Sequence, residues 1–257
     1  MKQIGKRILT IALAAQMVSC CTTALAAEAL NMAGSPPDKP GNNSTANVSY
    51  NGVETITSAA TQSGQTYTSY TADQNALLVN TSENVTINDP TTEKTGDSDG
   101  GDNCNFYGIN SAIMAMGGTT LTIKGGTVTT TATGANGVFS YGGNGGHNGA
   151  AGDGTTVMIS DTTITTSGGN SGGIMTTGGG VTIAENLTVE TMGQSSAPIR
   201  TDRGGGTVTV NGGTYTSNGL GSPAIYSTAD ITVSNAKLVS NLSEGVCIEG
   251  KKLGNAQ

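Results

Sequence analysis

Apolar and β-branched positions recur along this chain in threes. In the stretch Thr207–Tyr226, TVTVNGGTYTSNGLGSPAIY, the apolar anchors Val208, Tyr215 and Ile225 stand seven and then ten residues apart, each inside a short Thr-rich or β-branched run bounded by Gly, Asn or Ser. Short alternating runs between turn residues predict strands. The trio returns as Leu121, Val128 and Val138, as Val157, Ile164 and Ile174, as Val181, Val189 and Ile199, and as Ile231, Leu238 and Val246. The steps are 7 and 10, 7 and 10, 8 and 10, then 7 and 8. A weaker opening set takes Val53 and Ile56 as a first strand, Tyr67 as a second and Leu77 as a third, and Val85 opens the next layer.

Every third strand thus repeats its own pattern 21 to 27 residues on, apart from two layers that carry insertions. Equivalent strands that stack on one another run in parallel, and parallel crossovers favour the right hand. The pattern therefore predicts an all-β fold: a right-handed parallel β-helix of three-strand coils of about 21–27 residues, spanning residues 50–250. Ser171, Ser196 and Ser222, each three residues before an anchor Ile, are expected to share one corner, where small polar side chains satisfy the backbone. One insertion, Gly96–Phe106, separates Thr92 from Ile113, and a second, Gly142–Gly154, separates Val138 from Val157. Both are expected to leave the body as decorations.

Composition narrows the class further. With 40 Gly, no Trp, 4% aromatic and 11% charged residues, the 257-residue chain has little material for a globular core of large side chains, so its apolar mass is expected in thin repeated layers. Lys2, Lys6 and Arg7 ahead of the apolar run Ile8–Val18, with Ala24, Leu25 and Ala26 beyond it, read as a secretory signal over residues 1–26. An alternative takes Met17–Cys20 as a lipobox with Cys20 as the lipidated residue. The apolar run is about half the roughly 20 residues a spanning helix needs, so no transmembrane segment is expected in the mature chain. Residues 27–49, with Pro36, Pro37 and Pro40, read as a linker, and 251–257 as a tail.

Removing the signal takes the net charge from −7 to −10, which argues against nucleic acid as a partner. Cys104 and Cys247 fall about five layers apart, too far for a disulfide at roughly 4.8 Å per layer, and are expected to remain thiols. The end of the sequence, KKLGNAQ, supplies no closing strand or cap, so the last coil is expected to be open to end-to-end association and the chain to be part of a longer protein.

Three features are candidates for chemistry. Asp97, Asp99 and Asp102 alternate with Gly and Ser in the first insertion; they fit either a calcium site of oxygen ligands or a solvated polar loop. Strand alternation sends the residues after the third-strand anchors outward, aligning Met114, Phe139, Met175, Arg200, Tyr226 and Cys247 in a semi-apolar stripe. That stripe is either a binding surface, with Met114, Phe139, Met175, Arg200 and Tyr226 as its residues, or the seat of a folded-over insertion. Asp202, Arg200 and Arg203, with Asp230 one coil later, are the nearest approach to a catalytic set for polysaccharide cleavage, although an ion pair within the turn explains them equally well. No catalytic residue and no cofactor other than calcium is assigned.

The segments GDSDGGDNCNFYGINSAI (Gly96–Ile113), TDRGGGTVTV (Thr201–Val210) and GSPAIYSTADITV (Gly221–Val233) carry a resemblance to bacterial surface and secreted proteins of the right-handed parallel β-helix type, the Gly/Thr-rich group described as adhesin-like or carbohydrate-binding. The resemblance covers roughly residues 50 to 250. It implies a secreted or cell-surface structural or adhesive solenoid that binds glycan or a host or surface protein. The alternatives are a polysaccharide lyase or glycoside hydrolase on the same scaffold, and a fragment acting only as a stalk.

Overall fold

The computed structural model describes residues 48–98, 101–144 and 151–249. The signal segment, Cys20, the linker through residue 47, Asp99, His147 and the tail lie outside the described residues. Within the described residues the chain winds as a right-handed parallel β-helix of three sheets, and every pairing between windings is parallel. Sheet I holds eight strands, from Gly52–Ile56 through Asn75–Asn80, Ile113–Met116, Val138–Tyr141, Ile174–Thr177, Ile199–Thr201 and Ile225–Ser227 to Val246–Ile248. Sheet II runs from Ala60–Ser63 to Asp230–Ser234 and sheet III from Thr66–Ser69 to Lys237–Ser240, each with seven strands.

Inward residues of successive windings stack directly. Leu77, Ile113, Val138, Ile174, Ile199 and Ile225 form one buried column and Val128, Ile164, Val189 and Tyr215 another. Branched side chains on a pleated ladder fill such layers well, and each buried methylene removed from water contributes about 0.8 kcal/mol. Two assignments are corrected. Val181 faces outward, and Thr182 takes the inward place beside Val208. Counted from Thr182, the step to Val189 is seven, as in other windings; a threonine passes as core because its Oγ1 meets Thr176 Oγ1 at 2.7 Å. Val53 and Ile56 belong to sheet I with Leu77 rather than opening a winding in sheet II. The strand of sheet II at that level is Ala60–Ser63, whose polar sequence ATQS hides it.

The serine corner forms as expected. Ser171, Ser196 and Ser222 are fully buried, and each Oγ accepts the N–H of the winding before: Ala135 to Ser171 at 3.0 Å, Ser171 to Ser196 at 2.9 Å, Ser196 to Ser222 at 2.8 Å. Each hydroxyl in turn donates to a carbonyl of that winding, Ala132, Gly168 and Gly193 respectively. A corner that leaves no ladder bond therefore still satisfies its backbone.

Lys94 breaks another column. Its place at the end of a sheet III strand is held by Ser69, Thr130, Thr166, Thr191, Ser217 and Ser240 in other windings, yet Lys94 is fully buried. Its Nζ donates to the carbonyls of Thr71 and Gly96, each at 2.7 Å, which ties the root of the first insertion to the coil. Burial lowers its pKa to about 8, outweighing Asp73, Asp97 and Cys104, which act in the opposite direction. Between that value and the ordinary 10.5, the unfolded chain holds a proton that the folded chain has released, so this group makes stability rise with pH through that window. Replacing Lys94 with Thr, the residue of the next winding, is expected to flatten the rise. Urea unfolding of both chains at pH 7.5 and 9.5 checks it, and equal changes in the two chains refute it.

Cys104 and Cys247 are both thiols. The last winding leaves Val246 49% and Ile248 76% exposed around a cleft of about 450 Å³ lined also by Ile225, Ile231 and Val233.

Candidate binding site

The outer face of sheet I carries Leu78, Met114, Phe139, Met175, Arg200, Tyr226 and Cys247 in one register, as strand alternation requires. The structure divides this stripe into a covered part and an open part. The first insertion folds back as a six-residue helix, α1, Asp102–Tyr107, and packs Cys104 and Tyr107 on Leu78, Met114, Phe139 and Met175. Met114, Phe139 and Met175 are 0% exposed, so of the two readings of the stripe the folded-over insertion holds for these three, and they are not open binding residues. The reason is energetic: large apolar side chains in a row are costly in water, and the insertion supplies the nearest apolar partner.

Several polar contacts pin α1. Gly108 ends it at φ 72°, donating its N–H to Cys104 O, and a side chain here would meet the Phe139 ring and the Met114 sulfur. Thr177 Oγ1 donates to Phe106 O at 2.7 Å and Asn136 Nδ2 to Cys104 O at 3.4 Å. From the other end of the chain Val48, which the sequence assigned to the linker, and Tyr50 join the cover. Tyr50 Oη donates to Tyr107 O at 2.9 Å, and Tyr141 meets Tyr107 edge-on at 5.8 Å between centroids.

Beyond α1 the stripe opens and turns polar. Arg200 Nη2 pairs with Asp202 at 2.7 Å, with side-chain exposures of 11% and 14%. Arg200 Nη1 donates to Asn105 Oδ1 of α1 at 3.2 Å, and its Nε is buried with no hydrogen-bond partner. The guanidinium lies over the Tyr226 ring at 5.3 Å. Tyr226 Oη donates to Glu249 Oε2 at 2.6 Å. Burial foremost, then that hydrogen bond and the charges of Asp202 and Glu249, push the Tyr226 phenol well above its ordinary pKa, so it stays a neutral donor. Arg203 is exposed, its guanidinium stacked on the Phe106 ring at 4.1 Å.

The structure thus brings Arg200, Asp202, Arg203 and Tyr226 together and adds three residues missed in the sequence: Asn105, Phe106 and Glu249. Phe106 left a signal, being the one aromatic residue of the insertion Gly96–Phe106. Glu249 left none, since it follows the last anchor run. Asp230 does not join the group; it opens a strand of sheet II. Of the acidic insertion, Asp97 Oδ1 accepts the Thr133 N–H at 2.7 Å and Asp102 opens α1, and among the described residues no three His, Cys, Asp or Glu side chains gather as a metal site. Comparison with family models, curated proteins and solved structures finds no match to this chain.

Proposed function

We propose that the protein is a secreted or cell-surface adhesive solenoid that binds glycan on the open part of the sheet I flank. The observation that carries this reading is the half-buried Tyr226 ring, backed by Arg200 at 5.3 Å and fixed at its hydroxyl by Glu249. A ring anchored behind and at its tip offers an apolar face with polar groups around it, the pattern a sugar with one apolar face and a hydroxyl rim requires. Asp202 spends one oxygen on Arg200 and the other on the Arg203 N–H, which supports binding over cleavage, since a catalytic carboxylate needs an oxygen for the substrate. The segment Lys2–Ala26 supports export.

A glycan array probed with the full chain tests the assignment. Wild type is expected to retain a defined set of glycans and Tyr226→Ala to weaken them by about tenfold or more. Unchanged binding by the variant removes the flank as the site, and no binding by wild type leaves a spacer.

A further inference from the structure

Arg203 is exposed, with its main chain hydrogen-bonded at both ends and its guanidinium resting on one aromatic ring. Its backbone N–H donates to Asp202 Oδ1 at 2.9 Å and its carbonyl accepts from Gly178 at 3.2 Å, so the main chain is pinned to its own turn and to the winding before. The guanidinium face rests on Phe106, which α1 supplies. What remains open is the rim of N–H groups, the part that binds planar anions in pairs. Among the described residues the one ion pair is Arg200–Asp202, and no carboxylate lies within ion-pairing distance of Arg203. Among those residues Arg203 is thus an oriented cation without an acidic partner, in a chain of net charge −7.

From this geometry we infer that the ligand of the flank is an anionic glycan, whose carboxylate or sulfate group docks on the Arg203 rim. This deepens the glycan-binding reading and rests on it. Arg200 and Arg203 divide the work. Arg200 is consumed by Asp202, Asn105 and the Tyr226 ring and serves to position the ring, while Arg203 meets the charge. Because the protein is acidic overall, its long-range field repels polyanions, so attraction comes from short-range contact and not from diffuse charge.

The test uses the full chain against polygalacturonate, a sulfated galactan and a neutral galactan, with Arg203→Met and Arg203→Lys. Met keeps packing on Phe106 without charge, and Lys keeps charge without the planar rim. Both variants are expected to retain the wild-type thermal transition. Met is expected to lose anionic binding by tenfold or more and Lys to lose part of it. Preference between polygalacturonate and the sulfated galactan then names carboxylate or sulfate as the docked group. Equal binding of anionic and neutral polymers, or full anionic binding by Arg203→Met, overturns the anionic assignment and leaves the glycan reading standing. Absence of binding to every polymer, with no hit on the array, overturns both.

Discussion

A single methyl group added at Gly193 is expected to cost more than about 3 kcal/mol of folding stability, the upper end of what overpacking usually does. Gly168, Gly193 and Gly219 stack at the corner that leads from sheet III into sheet I, and a Cβ on any of them would sit far inside contact distance of a backbone carbonyl one winding below. For Gly193 that atom is Gly168 O, which already accepts the Ser196 hydroxyl at 3.1 Å, so it has no direction in which to yield. None of the three glycines has a positive φ, so the cost is steric and not conformational. Gly221→Ala supplies the contrast. It stands two residues on from Gly219 at φ 60° with nothing within 4 Å of its Cβ, and is expected to cost only the roughly 1–2 kcal/mol of a left-handed residue. Asn170 and Ser195 occupy matching left-handed positions in earlier windings without glycine. Urea unfolding of the two variants separates the causes, and similar losses would remove the close-approach explanation.

Phe139→Ala is expected to destabilise the protein by about 3–5 kcal/mol, as truncation of a fully buried Phe does, and to detach α1 before the coil itself unfolds. The ring sits between sheet I and α1 beside Met114 and Met175, so its loss opens a cavity under the cover. The helix has six residues and no side-chain hydrogen bond at its N-cap, too little to stand without packing. Hydrogen exchange of amides 102–107 is expected to accelerate strongly, while the sheet II strands keep wild-type protection. Unchanged exchange in α1 would show that Thr177, Asn136 and Arg200 suffice to hold it. Loss of α1 also removes Phe106 and Asn105 from Arg203 and Arg200, so glycan binding is expected to fall with it.

The windings were legible in the order of residues because one period is imposed by one physical demand. Stacked coils bury like against like, and Ile, Val and Ser therefore return at fixed steps. The same regularity misled where a winding met the demand by another route. At Val181 the apolar residue lies one place off, and an inward Thr182 satisfies its hydroxyl against Thr176. Ala60–Ser63 forms a strand with scarcely any apolar content because its neighbour Asn84–Asn88 supplies the ladder. Lys94, a charged residue by type, carries no sign in the sequence that two carbonyls converge on its Nζ.

For the site, the sequence by itself determined that Met114, Phe139, Met175, Arg200, Tyr226 and Cys247 share one outward column, since alternation along a strand and stacking between windings are both local rules. It also determined where the chain leaves the coil, because an insertion shows as a broken step. Only the tertiary structure decided where the insertion lands. The seven-step pattern contains nothing about α1, whose place depends on the apolar patch it covers and on partners as distant in sequence as Phe106 and Thr177. That choice of seat buried Met114, Phe139 and Met175 and left Tyr226 half-buried and Arg203 exposed, which is why the order of residues named the stripe and the packing named the site.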